Sequence, residues 1–383
     1  MTQPRTIIIS ANTSWNLAHF RPNLIAALRR RGFRVVAVAP RDSYSQPLEE
    51  QADEYIPLDF HSASISPLHD AKLFFRFVRV MRRVRPALFL GFTIKPNIYG
   101  SLAARLLRIT VINNVSGLGT AFIKQSFITR VTTAMYRQAL KRSAKIFFQN
   151  KEDREQFAGA QIVRLEQTEV LPGSGVDLQR FAPALLPADE PFCFLLVARL
   201  LWDKGVREFV DASLLVREHH PSARFLIIGP VDVDNRTAVP RATLNEWVER
   251  GIIEHHGAAD DVRPFIARAN CIVLPSYREG LPRSLLEASA MGRPIVATDV
   301  PGVRDVVDDK VTGILCEVRS ARSLASAMLS MMALSRDERA EMGRAGRHRV
   351  EREFDIKLVT QSYLQAIDAA LQDADHSNAR RPI

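Results

Sequence analysis

The run CIVLPSYREGLPRSLLEASAMGRPIVA (Cys271–Ala297) reads strand, loop, helix, strand, and that order leaves few folds open. CIVLP is a short apolar run closed by a turn signal, the pattern of a strand buried on both faces. Pro282 suits the first turn of a helix, and Leu285, Leu286, Ala288 and Ser289 give that helix a packed face. Pro294–Ala297 is a second apolar run of strand length. Strands joined by a helical crossover run parallel, and a parallel sheet needs helices on both of its faces.

The same alternation fills the chain. In the first half, strands are expected near Thr6–Ser10, Arg34–Ala39, Ala87–Leu90, Val111–Asn114 and Ala144–Gln149. Helices are expected near Ala18–Arg31, Leu68–Val84, Asn97–Leu107 and Gln125–Arg142. The second half gives strands at Phe192–Ala198, Arg224–Ile228, Ile253–His255, Cys271–Leu274 and Pro294–Ala297. PALLPADEP (Pro183–Pro191) has the prolines and small residues of a linker. The expectation is an α/β chain of two lobes, 1–184 and 185–354, followed by an amphipathic helix over Leu358–Leu371 and a disordered tail, 376–383. A chain of 383 residues with 46% apolar content can fill two such cores.

Glu279 and Glu287 lie eight positions apart across the strand-to-helix junction. One carboxylate falls in the loop at the carboxyl end of a strand, the other about a turn and a half into the helix. Carboxylates accept hydrogen bonds from vicinal hydroxyls, and the free amides of a helix start attract phosphate. Arg199 and Lys204 stand in a corresponding place, after the strand FCFLLVA and before the helix GVREFVDASLLV. Open parallel sheets bind ligands outside the carboxyl ends of their strands. Two cations there suit a diphosphate, the arginine as a planar fork and the lysine as a point charge. Singly, each group also reads as a solvated side chain; together they fit the hydroxyls and diphosphate of a nucleotide-sugar.

Charge divides the chain. The first 178 residues carry 25 Lys and Arg against 13 Asp and Glu, and the rest carry 27 against 29. Only the first lobe is therefore suited to an anionic partner. LHDAKLFFRFVRVMRRVRP mixes Phe74, Phe75 and Phe77 with Lys72, Arg76, Arg79, Arg82, Arg83 and Arg85. FIKQSFITRVTTAMYRQALKR repeats the pattern. Basic amphipathic helices of this kind can lie in the headgroup layer of an anionic membrane, or their apolar faces can be core and their arginines solvated. Nucleic acid is disfavoured, since no binding module accompanies the charge. Cys193, Cys271 and Cys316 each sit in an apolar run and read as buried thiols. No stretch is long and apolar enough for a signal peptide or a membrane span, so the chain is expected to be cytoplasmic.

These motifs taken together resemble a known family. Arg199-x4-Lys204 with the loop-borne Glu279-x7-Glu287 resembles the retaining family 4 glycosyltransferases, which use nucleotide-sugars and have the two-lobed GT-B fold. WNLAHFRPNLIAALRRRGFRV, FFQNKEDREQF and LPGSGVDLQRF extend the likeness over nearly the whole chain. SGLGTAF and PSYREGLPRSLLEA are most similar to the bacterial branch that extends undecaprenyl-diphosphate-linked saccharides, N-acetylgalactosaminyl transfer included. The resemblance implies two parallel sheets facing a cleft, with the chain crossing back at 355–375 to pack on the first lobe. It implies a UDP-sugar donor held by Arg199, Lys204, Glu279, Gly280, Leu281, Pro282 and Glu287, with the base near Gly257–Val262. It makes His19, Arg21, Lys95, Asn97, Ser116, Gly117 and Gly119 the acceptor-side candidates. The departing phosphate takes the acceptor proton in this family, so no protein nucleophile is implied.

Two departures stand out: VINNVSGLG carries asparagines where many relatives have a histidine, and ANTSWN replaces a glycine pair. Neither a metal nor a cofactor is expected. Asp232-x-Asp234 has the look of a metal-binding pair, but Arg199 and Lys204 already supply cation to the diphosphate. Gly117-Leu118-Gly119 lacks the third glycine and the acidic partner of a dinucleotide site. The alternatives are a transferase of this fold with a soluble acceptor, a nucleotide-sugar epimerase, and a basic, non-catalytic membrane-binding protein.

Overall fold

The computed structural model describes residues 4–60, 67–116, 127–232, 235 and 237–379. They form two compact units, Met1–Ser174 with Lys357–Ile383, and Gly175–Ile356.

In the first unit seven parallel strands lie in the order β3-β2-β1-β4-β5-β6-β7. They are β1 (Thr6–Ser10), β2 (Arg34–Ala39), β3 (Glu54–Pro57), β4 (Leu88–Phe92), β5 (Thr110–Val115), β6 (Lys145–Phe148) and β7 (Thr168–Val170). The connecting helices are α1 (Ser14–Phe20), α2 (Pro22–Arg30), α3 (Ser45–Gln51), α4 (Pro67–Val84), α5 (Ser101–Leu106), α6 (Phe127–Leu140) and α7 (Lys151–Gly159). Successive side chains leave a strand on opposite faces. Ile8, Val36 and Phe89 accordingly join one buried cluster, and Ile7, Ile9, Val35 and Leu88 the other. The helix expected over Ala18–Arg31 is two helices. Thr13 caps the first by accepting from the Asn16 amide, and Pro22, which has no N–H, begins the second. β3 and β7 were not expected; each is a short edge strand of four or three residues.

The second unit repeats the plan with six parallel strands in the order β10-β9-β8-β11-β12-β13. In chain order come β8 (Cys193–Val197), α8 (Val206–Arg217), β9 (Arg224–Ile228), α9 (Arg241–Glu249), β10 (Glu254–His255), α10 (Arg263–Arg268) and β11 (Cys271–Leu274). There follow α11 (Arg283–Ala290), β12 (Ile295–Thr298), β13 (Gly313–Cys316), α12 (Ala321–Ala333) and α13 (Arg336–Glu353). All three cysteines are free and buried, and burial pushes the Cys193 thiol up to about 11.

The chain passes into the second unit at Ser174/Gly175, about ten residues before the expected junction, because Val176 and Phe181 belong to the second core. Pro183–Pro191 is therefore no linker. Its carbonyls are taken up one after another by long side chains of the second unit. Arg293, 1% exposed, donates to the carbonyls of Ala184 (2.9 Å) and Leu185 (2.7 Å), and also to Ile266 (2.9 Å) and Ala267 (3.0 Å). Arg336 holds the Leu186 carbonyl, Asn270 that of Ala188, and Arg339 the Asp189 carboxylate at 2.6 Å. A proline-rich segment that cannot make its own ladder is strapped down by side chains instead.

The final helix, α14 (Ile356–Ala379), belongs with the first unit from Lys357 onward. Val359, Tyr363, Ile367 and Leu371 fill the cluster around Ile7, Ile9 and Leu90. Tyr363 meets Phe147 and Phe92 edge-on and accepts from Asn114 Nδ2 at 2.6 Å. Among the described residues no helix is long and apolar enough to cross a membrane.

Candidate functional site

β8 and β11 are neighbours, with Cys271 paired to Phe194, so the loops after them leave the sheet side by side. After β8 the chain makes one 3₁₀ turn, Trp202–Lys204, ended by Gly205 at φ +70°. A Cβ on Gly205 would stand 2.1 Å from the Pro275 carbonyl oxygen, so the two loops touch backbone to backbone only because this residue has no side chain. The Tyr277 amide donates to the Asp203 carbonyl at 2.9 Å and fixes their register. This contact brings Lys204 to Glu279, Nζ to Oε1 at 2.5 Å, with both side chains largely enclosed. Arg199, on the same loop, is exposed and has no ion pair among the described residues.

Gly280, Leu281 and Pro282 carry the chain from Glu279 into α11. Pro282 is its N-cap and supplies no side-chain acceptor to the first amides. Leu281 packs against the core. Glu287 lies inside α11, buried, and accepts from Arg283 Nε at 2.8 Å. Burial pushes its carboxyl above the ordinary glutamate range, while Arg283, and more weakly Arg180, pull the other way. Gly257 follows β10 at φ +69°, and its carbonyl accepts from the Gly229 amide. Val262 is the N-cap of α10 and partly buried. The donor-side candidates thus share the carboxyl ends of β8, β10 and β11. Arg283 was missed, although its i,i+4 spacing to Glu287 was available. Asp261, bidentate to Arg263, was missed as well.

A cation beside a carboxylate, next to a helix start without a side-chain cap, can take a phosphate and a sugar hydroxyl together. Within the pair the two charges neutralise each other. Among the described residues no group of His, Cys, Asp and Glu is placed to hold a metal. Asp232 pairs with Arg241, and Asp234 lies outside the described residues.

The first-unit candidates divide. His19 stacks on Trp15 at 5.4 Å and meets Tyr44 edge-on. Lys95 donates to Asp70 and to the Phe60 carbonyl, each at 3.0 Å. Ser116 donates to Asn114 Oδ1 at 2.7 Å. Gly117 and Gly119 lie outside the described residues. Arg21 and Asn97 are the two buried members of this set. Arg21 is buried over the Phe92 ring at 4.4 Å. Asn97 is wholly enclosed, donating to the Asn114 carbonyl and accepting from Asn113. Both join their segments, α2 and the turn after β4, to the sheet.

On α4, Arg83 is committed to Glu54, whereas Arg76, Arg79 and Arg82 are exposed and without ion pairs among the described residues. Arg76 and Arg79 border a shallow cavity of about 320 Å³ with Pro57, Leu58 and Val80. Leu68 and Phe75 are 77% and 67% exposed on the same helix.

Residues 19–173 match the family model described as glycosyl transferase 4-like domain, and 191–333 that of glycosyl transferases group 1. A Campylobacter jejuni protein named N,N'-diacetylbacillosaminyl-diphospho-undecaprenol alpha-1,3-N-acetylgalactosaminyltransferase is 26% identical, over 94% of this chain and 97% of its own. The Escherichia coli UDP-Gal:alpha-D-GlcNAc-diphosphoundecaprenol alpha-1,3-galactosyltransferase is 24% identical, over 84% and 88%. The crystal structure of Anabaena HepE in complex with UDP-glucose superposes with a TM-score of 0.79, at 17% identity, over 95% of this chain and 99% of that one.

Proposed function

The chain belongs to the GT-B glycosyltransferases, with a transferase model on each half, and on that premise we propose that it moves a sugar from a UDP-sugar to an undecaprenyl-diphosphate-linked saccharide with retention of anomeric configuration. The two relatives whose names specify such carriers, matched along most of both chains, support this acceptor class. An N-acetylhexosamine or hexose is the proposed cargo. The observation that carries the donor half is the Lys204–Glu279 pair beside the start of α11.

Cleavage of the bond between anomeric carbon and distal phosphate oxygen leaves negative charge on the phosphate. Lys204, Arg199 and the first amides of α11 are proposed to face that charge, where fixed donors do most for the rate. Glu279, freed from Lys204 as the phosphate takes its place, receives a hydroxyl of the donor sugar. Glu287 receives the ribose hydroxyls, and the base lies along Gly257–Val262. The acceptor oxygen bonds to the face the phosphate leaves, and its proton passes to the phosphate oxygen. His19, Lys95 and Ser116 remain the acceptor-side proposals.

Work at the inner face of an anionic membrane is part of the proposal. Exposed Leu68 and Phe75 beside Arg76, Arg79 and Arg82 support it, as apolar anchor and cationic rim. The deciding measurement is UDP release from a panel of UDP-sugars, with and without an undecaprenyl-diphosphate-linked monosaccharide in anionic vesicles. Release from one donor only when the lipid acceptor is present, weakening as salt rises, is expected. Turnover on a soluble sugar alone would discard the lipid acceptor and the membrane together.

Glu287 adds a signature in pH. Ribose hydroxyls donate to the ionised carboxylate, whereas burial favours the protonated one. Binding of uridine, which has no phosphate to titrate, is therefore expected to release a proton in a window whose upper edge is the raised value of the free Glu287 carboxyl. Affinity rises with pH across that window and is level beyond it. Calorimetry in buffers of different ionisation enthalpy reads the proton directly; no release there would remove Glu287 from the ribose site.

A further inference from the structure

The Glu279 turn is supported from a second side, by residues that touch no ligand in the mechanism above. Gly302 follows β12, at φ +76°. A Cβ at this position would stand 2.4 Å from the Gly280 carbonyl oxygen and 2.7 Å from that of Glu279, closer than real Cβ atoms come to backbone. Four residues earlier, Thr298, 1% exposed, donates its hydroxyl to the Ser276 carbonyl at 2.5 Å. The turn that carries Glu279 into α11 is thus wedged. On the β8 side it rests on Gly205 and Asp203; on the β12 side it rests on Thr298 and the bare backbone of Gly302.

We propose that Thr298 and Gly302 are positioning residues for donor turnover, setting the carbonyl orientation at Glu279 and Gly280 and hence where the Glu279 carboxylate and the following amides point. The inference rests on the donor-site reading above. Peptide planes are rigid, so pushing back the Gly280 carbonyl also rotates the Leu281 amide and, through Pro282, re-aims the first amides of α11 proposed to face the departing phosphate. Misplacing a reacting group by about 1 Å can cost on the order of 10²-fold in rate.

Gly302→Ala tests the wedge, with Gly251→Ala as its matched control. Gly251 has nearly the same backbone, φ +65°, but nothing within 4 Å of its missing Cβ, so it reports the conformational strain without the contact. Thr298→Val keeps the shape and removes only the hydroxyl donor, and it decides the matter if Gly302→Ala does not fold. Expected for Gly302→Ala is a fall in kcat of about 10- to 100-fold. Its affinity for UMP, which lacks both the sugar and the distal phosphate, stays at the wild-type value. Thr298→Val should lower kcat several-fold with the same retention, and Gly251→Ala should leave kcat alone. Wild-type kcat in Gly302→Ala and Thr298→Val, while Glu279→Gln is inactive, overturns the positioning role and leaves the donor site standing. Full turnover by Glu279→Gln overturns the donor-site reading and this inference with it.

Discussion

Lys204→Ala is expected to lower kcat by roughly 10²- to 10³-fold, the usual consequence of removing one fixed donor aimed at developing charge. The structure gives a reason to expect the upper end. Lys204 and Glu279 are paired at 2.5 Å with little solvent around either. Alanine at 204 therefore leaves a carboxylate without its counter-charge next to the proposed phosphate position, and like charges repel there with little screening. Affinity for UDP should fall along with kcat. Adding Glu279→Gln to Lys204→Ala should restore part of the UDP affinity, because the stranded charge is gone, but none of the kcat. Affinity by calorimetry and kcat by UDP release separate the two effects. Unchanged kcat in Lys204→Ala would remove the diphosphate from this side of the sheet.

Arg293→Met is expected to destabilise the second unit by about 3–5 kcal/mol, with no effect on the chemistry. The guanidinium fills its site with four carbonyls, two from 184–185 and two from 266–267. Methionine matches part of its volume and none of its donors, leaving buried acceptors unmet. The arginine is itself held uneasily: burial pulls it down to about 10, since desolvation disfavours the charged form. Denaturant unfolding of the two proteins, compared at equal m, measures the loss. A loss under about 1 kcal/mol would mean that water replaces the guanidinium, and that 183–191 is held by its other straps.

What the sequence made legible follows from distance along the chain. Strands such as Thr6–Ser10 and Arg34–Ala39 are apolar on both faces and announce themselves within a few residues. Glu279 and Lys204 were legible as residue types in suggestive loops, but their contact was not, because it depends on Gly205 closing onto Pro275. The reading of Pro183–Pro191 as linker failed for the same reason. Its composition is that of a free segment, and the arginines that hold it come from 293, 336 and 339. Arg21 and Asn97 show the opposite limit: polar residues near the carboxyl ends of strands suggest ligand contact, and their burial against Phe92 and Asn114 shows only in the packing. The break at Arg21–Pro22 was written in the sequence, as a proline inside a helical pattern.

The placement of α14 has a consequence for how the chain must be made. A ribosome delivers β1 to β7 first, yet the face of that sheet bearing Ile7, Ile9 and Leu90 is closed by Val359, Tyr363, Ile367 and Leu371. The second unit, continuous from Gly175 to Ile356, is complete before those residues emerge. Synthesis order and assembly order are thus inverted: the unit begun first is finished last. Leu17, Leu24, Ile25, Leu28 and Leu48 cover their share of that face early, but throughout translation of the second lobe the share that α14 covers stays open, the kind of surface that chaperones bind and that aggregates form on. Chains cut short before Val359 would keep that share open permanently, however well their second lobe folds.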